Sequence, residues 1–172
     1  MKCKVTNKII KPFMSFGKMP LANGFLKKED FDKEFFFNLE VGFSEELSLF
    51  QLNEFPNPTK MFNENYPFFS GSSEYMKKHF FNYSNWIIKN YMNGKSNIIE
   101  IGSNDGTMLQ NFKNEGLNHI GFEPSMSAAK KAKKNNINTL VEFFCYKNVS
   151  LLNTFKHKTD VICAANVICH IP

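Results

Sequence analysis

A short apolar run that ends in a glycine-containing elbow constrains this chain most. Asn97-Ile98-Ile99-Glu100-Ile101 leads directly into Gly102-Ser103-Asn104-Asp105-Gly106. Such a run, rich in isoleucine and too short for a helix, reads as a buried strand. Glycine just past its end lets the backbone turn sharply and lets a ligand approach without an intervening side chain. Downstream, the elements alternate. Thr107 to Asn114 reads as a helix closed by Gly116, and His119 to Glu123 as a second strand. Ser125 is placed to cap a helix from Met126 to about Asn135, and Thr139 to Phe144 reads as a third strand. A short helix over Lys147 to Phe155 and a fourth strand over Asp160 to Ala164 follow. Strand and helix alternating at this spacing imply an α/β fold, with a parallel sheet joined by right-handed crossovers.

Residues upstream of the elbow have a different grain. Residues 1–62 lack helical periodicity, carry loop signals at Lys18-Met19-Pro20, Ala22-Asn23-Gly24 and Phe55-Pro56-Asn57-Pro58, and contain strand-like runs at 35–41 and 47–52. A small, loop-rich β unit is expected there. Residues 63–93 form a connecting segment and a helix. Within it Met76, Phe80, Tyr83, Ile87 and Tyr91 recur at helical spacing, so they are expected to share one buried face, and Asn93-Gly94 supplies a stop. Residues 94–172 then make up the third segment.

Composition narrows the function. The net charge is +5, yet all 21 basic residues are lysines, so no guanidinium is available for bidentate contact with phosphate or guanine. The densest basic run, 130–134, falls on an expected helix and reads as a solvated face. Nucleic acid is not an expected partner. Mean hydropathy of -0.34 and the lack of a long apolar run exclude an α-helical membrane span. The basic N-terminus is not followed by an apolar signal region, and the cysteines at 3, 145, 163 and 169 show no disulfide spacing, so a reducing cytoplasm is expected. Without any Cys-x-x-Cys pair, zinc is not expected either.

The elbow departs from the dinucleotide fingerprint, because Asn104 stands at the second glycine position and Thr107 at the third. A pyrophosphate is therefore disfavoured, and a nucleoside such as S-adenosylmethionine suits the turn better. Glu123, 21 residues beyond Gly102, ends the second strand where a carboxylate can accept hydrogen bonds from both ribose hydroxyls. Glu100 and Asp105 are candidates to orient the loop or the methionine amine. Asn166 and His170 follow the fourth strand on the carboxyl edge, where open α/β sheets bind ligands; His170 is a candidate for proton transfer.

Several ordered motifs together resemble one family, the S-adenosylmethionine-dependent C-methyltransferases acting on nucleotide-linked keto-deoxysugars. They are Met19-Pro20-Leu21-Ala22-Asn23, Leu49-Phe50-Gln51-Leu52, Asn65-Tyr66-Pro67-Phe68-Phe69-Ser70, the 100–107 elbow, Phe122-Glu123-Pro124, Phe143-Phe144, and the stretch from Ala164 to Pro172. The resemblance implies an incomplete Rossmann-like class I methyltransferase sheet, its first four parallel strands, preceded by a small zinc-ribbon-like unit and a helix. It also implies a nucleotide-linked sugar as substrate.

Carried over by position, Gly102, Asp105, Glu123 and Asn166 are the expected cofactor contacts, and Glu100, Asn104 and Gly106 of the elbow are expected beside them. Tyr66 and His170 are the expected catalytic residues, and His79 a weaker one. The chain departs from the family in three respects. Thr6, Ser44 and Leu47 stand where three of four zinc-binding cysteines would be, leaving Cys3. Phe68 replaces a frequent tyrosine. Family members also continue past the final motif, so a truncated or split form is expected, completed by a separate C-terminal polypeptide or else surviving as a non-catalytic interaction module.

Overall fold

A computed structural model describes residues 1–23, 25–155 and 158–171. Gly24, expected in a loop, and Pro172, which closes the last motif, lie outside them. The chain divides into two compact units, Met1–Met61 and Phe62–Pro172.

In the first unit, three antiparallel strands pair in the order β1 (Pro12–Pro20), β2 (Phe36–Ser44), β3 (Leu49–Leu52). The two later strands lie close to the expected runs. β1 does not: the Lys18-Met19-Pro20 segment, read as a loop, is the end of a nine-residue strand. β1 has a proline at each end, two register shifts and Gly17 at φ 70°, and it is exposed along its length. Those are marks of an edge strand, where a missing N–H and a bulge cost little. One helical turn, α1 (Pro58–Met61), closes this unit.

The second unit is built on a four-stranded parallel sheet. β4 (Asn97–Ile101) is buried at every position and pairs in parallel with β5 (Asn118–Phe122) and β7 (Val161–Cys163). β6 (Thr139–Leu140) lies beyond β5, giving the order β6-β5-β4-β7. The expected α/β architecture is therefore present. Because side chains alternate across a strand, Ile98 and Glu100 face one side and Ile99 the other. On the first side Ile98 packs with Phe80, Leu109 and Phe112; on the second Ile99 packs with Ile120, Phe122 and Phe155. No helix among the described residues is long and apolar enough to cross a membrane.

The helices are α2 (Glu74–Tyr91), α3 (Leu109–Asn114), α4 (Met126–Lys134) and α5 (Tyr146–Ser150). Three expectations need correction. The buried face of α2 is Phe80, Ser84 and Ile87, while Tyr83 and Tyr91 are exposed. Ser84 is small enough to let α3 approach, and the Asn111 side chain reaches its hydroxyl at 3.5 Å. α2 also ends when Met92 turns extended at φ -124°, not by a left-handed glycine at 94. The third strand, expected to reach Phe144, stops at Leu140; Phe144 instead packs edge-on against Phe122, with ring centroids 5.2 Å apart.

Candidate functional site

The elbow after β4 is held in shape by its own backbone and by the end of β5. Gly102 (φ 67°), Asn104 (φ 50°) and Gly106 (φ 77°) are all left-handed, a conformation glycine adopts freely and asparagine better than most residues. The amides of Gly102 and Ser103 both donate to the Phe122 carbonyl, at 2.8 and 3.1 Å. A methyl group on Gly102 would come within 2.7 Å of Val167, so the close approach this glycine permits is to the segment after β7.

Glu123 stands at this rim, 5% exposed. Its Oε2 accepts the Asn104 backbone N–H at 2.9 Å, and its Oε1 accepts the Ser125 N–H at 2.7 Å. One carboxylate thus fastens the elbow to the start of α4. Ser125 occupies the N-cap position of α4 but makes no side-chain cap; its hydroxyl pairs with that of Ser127 at 3.0 Å. Capping by Ser125, as expected from the sequence, is replaced by the Glu123 carboxylate on the Ser125 amide. Burial, before any other cause, holds the Glu123 carboxyl above its usual range, and the two amides pull the other way.

Asn104 and Asp105 turn out to engage a strap formed by residues 66–72. The Asn104 amide group donates to the Phe68 carbonyl at 3.0 Å and accepts the Ser70 N–H at 2.9 Å. Asp105, 3% exposed, accepts the Gly71 N–H at 3.0 Å and the Thr107 hydroxyl at 2.6 Å, and is 3.0 Å from the Lys131 ammonium. Lys131 also lies over the Phe69 ring, 4.7 Å from its centroid. One lysine of the basic run therefore belongs to this network, while its neighbours are solvated.

Beneath the elbow, Glu100 is 3% exposed and its Oε2 has no hydrogen-bond partner. Burial, reinforced by the charges of Glu123 and Asp105, raises its carboxyl well above the ordinary value. Its parallel neighbour on β7 is Cys163, whose thiol is pushed up to about 11 by burial and then by Glu100. An unpaired oxygen among buried acids is costly in isolation and favours either a proton or a cationic ligand.

Tyr66 and His170 are brought to a common neighbour. The Phe62 ring is 5.6 Å from Tyr66 and 5.8 Å from His170, centroid to centroid. Phe62 carried no periodic or motif signal, and only this packing reveals it. Ser127 reaches the Tyr66 carbonyl at 3.5 Å, and burial followed by the Glu123 charge raises the Tyr66 phenol. Asn166 is left-handed at φ 56° and exposed, one residue before Val167. His79 stands apart on α2, stacked on Tyr83 with centroids 6.3 Å apart.

A family model described as "Methyltransferase domain" matches residues 45–172, and one described as "Putative zinc binding domain" matches residues 3–62. No curated protein matches the chain. Zinc would need about four thiolate or imidazole donors. The first unit has Cys3 as its single cysteine and contains no histidine, and no cluster of three or more metal-binding side chains occurs among the described residues. Its donor set does not fit the metal.

Proposed function

Because the chain belongs to the methyltransferase domain family, we propose that it takes part in methyl transfer from S-adenosylmethionine to a carbon of a nucleotide-linked keto-deoxysugar. One observation carries the cofactor assignment: Glu123 meets the elbow within hydrogen-bond distance, through the Asn104 amide. Each of its oxygens accepts a single backbone N–H, so lone pairs remain for the two hydroxyls of a ribose. The unpaired Glu100 oxygen supports a second contact, to the cationic methionine end of the cofactor. Gly102, Gly106 and Asn166 contribute left-handed backbone around the same edge. S-adenosylmethionine supplies, when bound, an electrophilic methyl group.

The sugar assignment rests on the motif resemblance, with Tyr66 and His170 in the catalytic roles. Methylation of a carbon beside a ketone requires removal of its proton and stabilisation of the enolate oxygen. The raised phenol of Tyr66 stays protonated at neutral pH and can donate to that oxygen. His170 is the proton acceptor in this scheme, held near Tyr66 by their shared contact with Phe62. We place the chain in the cytoplasm, whose reducing conditions suit four free thiols.

Calorimetry of the purified chain with S-adenosylmethionine tests the first half of the proposal, and transfer of labelled methyl to a panel of nucleotide-linked keto-deoxysugars tests the second. Saturable heat with the cofactor and label in the sugar are the supporting outcomes. Absence of heat up to millimolar cofactor would sink the cofactor assignment; binding without any labelled sugar would sink the substrate assignment alone.

A further inference from the structure

Two turns in the first unit are built alike. Residues 4–7 are closed by Cys3 and Lys8, whose backbone N–H and carbonyl bond at 2.8 Å; residues 45–48 are closed by the β2–β3 pair Ser44 and Leu49. The last residue of each turn is left-handed and not glycine: Asn7 at φ 58° and Ser48 at φ 49°. The first flanking residue of each is buried, Cys3 completely and Ser44 to 2% exposure. Cys3 and Thr6 in one turn thus correspond to Ser44 and Leu47 in the other. Four side chains at this spacing form the frame in which a metal is gripped by two Cys-x-x-Cys turns, yet a single thiol stands in it.

Gln51, 7% exposed on β3, reaches into this frame. Its Nε2 donates to Cys3 Sγ at 3.0 Å, and its Oε1 accepts the Lys4 N–H at 2.7 Å. The Thr6 N–H also points at Cys3 Sγ, at 3.4 Å. At the rims, Lys8 and Glu46 pair at 2.9 Å across the two turns. That pair is exposed and contributes little. The buried amide contributes more, because removing it leaves the Lys4 N–H without its acceptor.

We infer that the Met1–Met61 unit folds without a metal, and that the Gln51 side chain ties the first turn to β3 in the metal's place. This conclusion does not depend on the methyl-transfer proposal, since it concerns residues outside the candidate site.

The test uses the full chain, purified from cells grown with added zinc sulfate. Mass spectrometry is expected to find less than about 0.1 zinc per chain, against one for a structural site. Amide exchange is expected to show the Lys4 N–H protected and unaffected by EDTA. Gln51→Ala should abolish that protection and lower the melting temperature of the first unit by about 4 °C or more. Gln51→Glu retains the acceptor for Lys4, so protection should survive even if the alanine variant fails to fold. The inference is overturned by stoichiometric zinc whose removal exposes Lys4, by a wild-type Lys4 amide that exchanges freely, or by a folded alanine variant that keeps it protected.

Discussion

The Glu123 carboxylate accepts the backbone N–H of Asn104 at 2.9 Å across 19 residues of chain, so the acid at the end of β5 sets the conformation of the elbow after β4. A residue expected to serve a ligand therefore has a structural duty as well. Glu123→Ala should strand two buried amides, at about 1 kcal/mol or more each. A loss of roughly 2 kcal/mol by urea denaturation is expected, together with at least a tenfold weaker S-adenosylmethionine affinity, about 1.4 kcal/mol. Undiminished cofactor affinity in a folded variant would remove Glu123 from the ribose site.

Asn104 combines a left-handed backbone with two side-chain bonds to the strap, and two substitutions separate these roles. Asn104→Gly keeps the backbone at no steric cost, whereas Asn104→Ala adds a strain of about 1 kcal/mol. Both should speed exchange of the Ser70 amide, and the alanine variant should be the less stable by about that strain. Equal stabilities would contradict the conformational argument. Unchanged Ser70 exchange would contradict the latch.

Glu100 predicts a pH dependence with a definite sign. Its folded carboxyl is raised well above 4.5 by burial, so above pH 4.5 the folded state holds a proton that the unfolded state has lost. Stability from this group is thus greatest at low pH and falls as pH rises from 4.5 through its elevated folded value. Glu100→Gln should flatten that fall, and urea midpoints for the two proteins should diverge steadily as pH increases. Parallel curves would show that Glu100 ionises normally or is already paired.

Cys163 should resist alkylation in the native protein. With its thiol pushed up to about 11 and 5% exposed, on the order of a thousandth is thiolate at pH 8. Iodoacetamide followed by peptide mass mapping should label the exposed Cys145 and Cys169 while sparing Cys163. Comparable labelling at all three would mean that β7 opens readily.

Sequence was most informative in the buried heart of the parallel sheet, at β4 throughout and at β5 from Ile120 to Phe122. β4 and β5 sit within a residue of their expected positions because strands covered on both faces are short apolar runs bounded by polar or turn residues. α2 was placed well along the chain but rotated, since Tyr83 is amphipathic and satisfies an apolar period while lying at the edge of the buried arc, and Ser84 fits the contact by being small. The elbow and Glu123 were legible as a pair because their spacing follows from one strand-helix-strand unit. The strap was not: Phe68, Ser70 and Gly71 meet Asn104 and Asp105 through backbone N–H and carbonyl groups, which every sequence possesses. Phe62 was hidden for a related reason, since one phenylalanine among 20 carries no signal until its neighbours are known.

At Gly71 that strap leaves no room for a side chain: a Cβ there would be 2.7 Å from the Thr107 hydroxyl oxygen and 2.9 Å from Asp105 Oδ2. Two residues later Ser73 caps α2 by accepting the Met76 N–H. The elbow and the first turn of that helix are therefore joined by a link of two residues, so the placement of Asp105 and the start of α2 are set together.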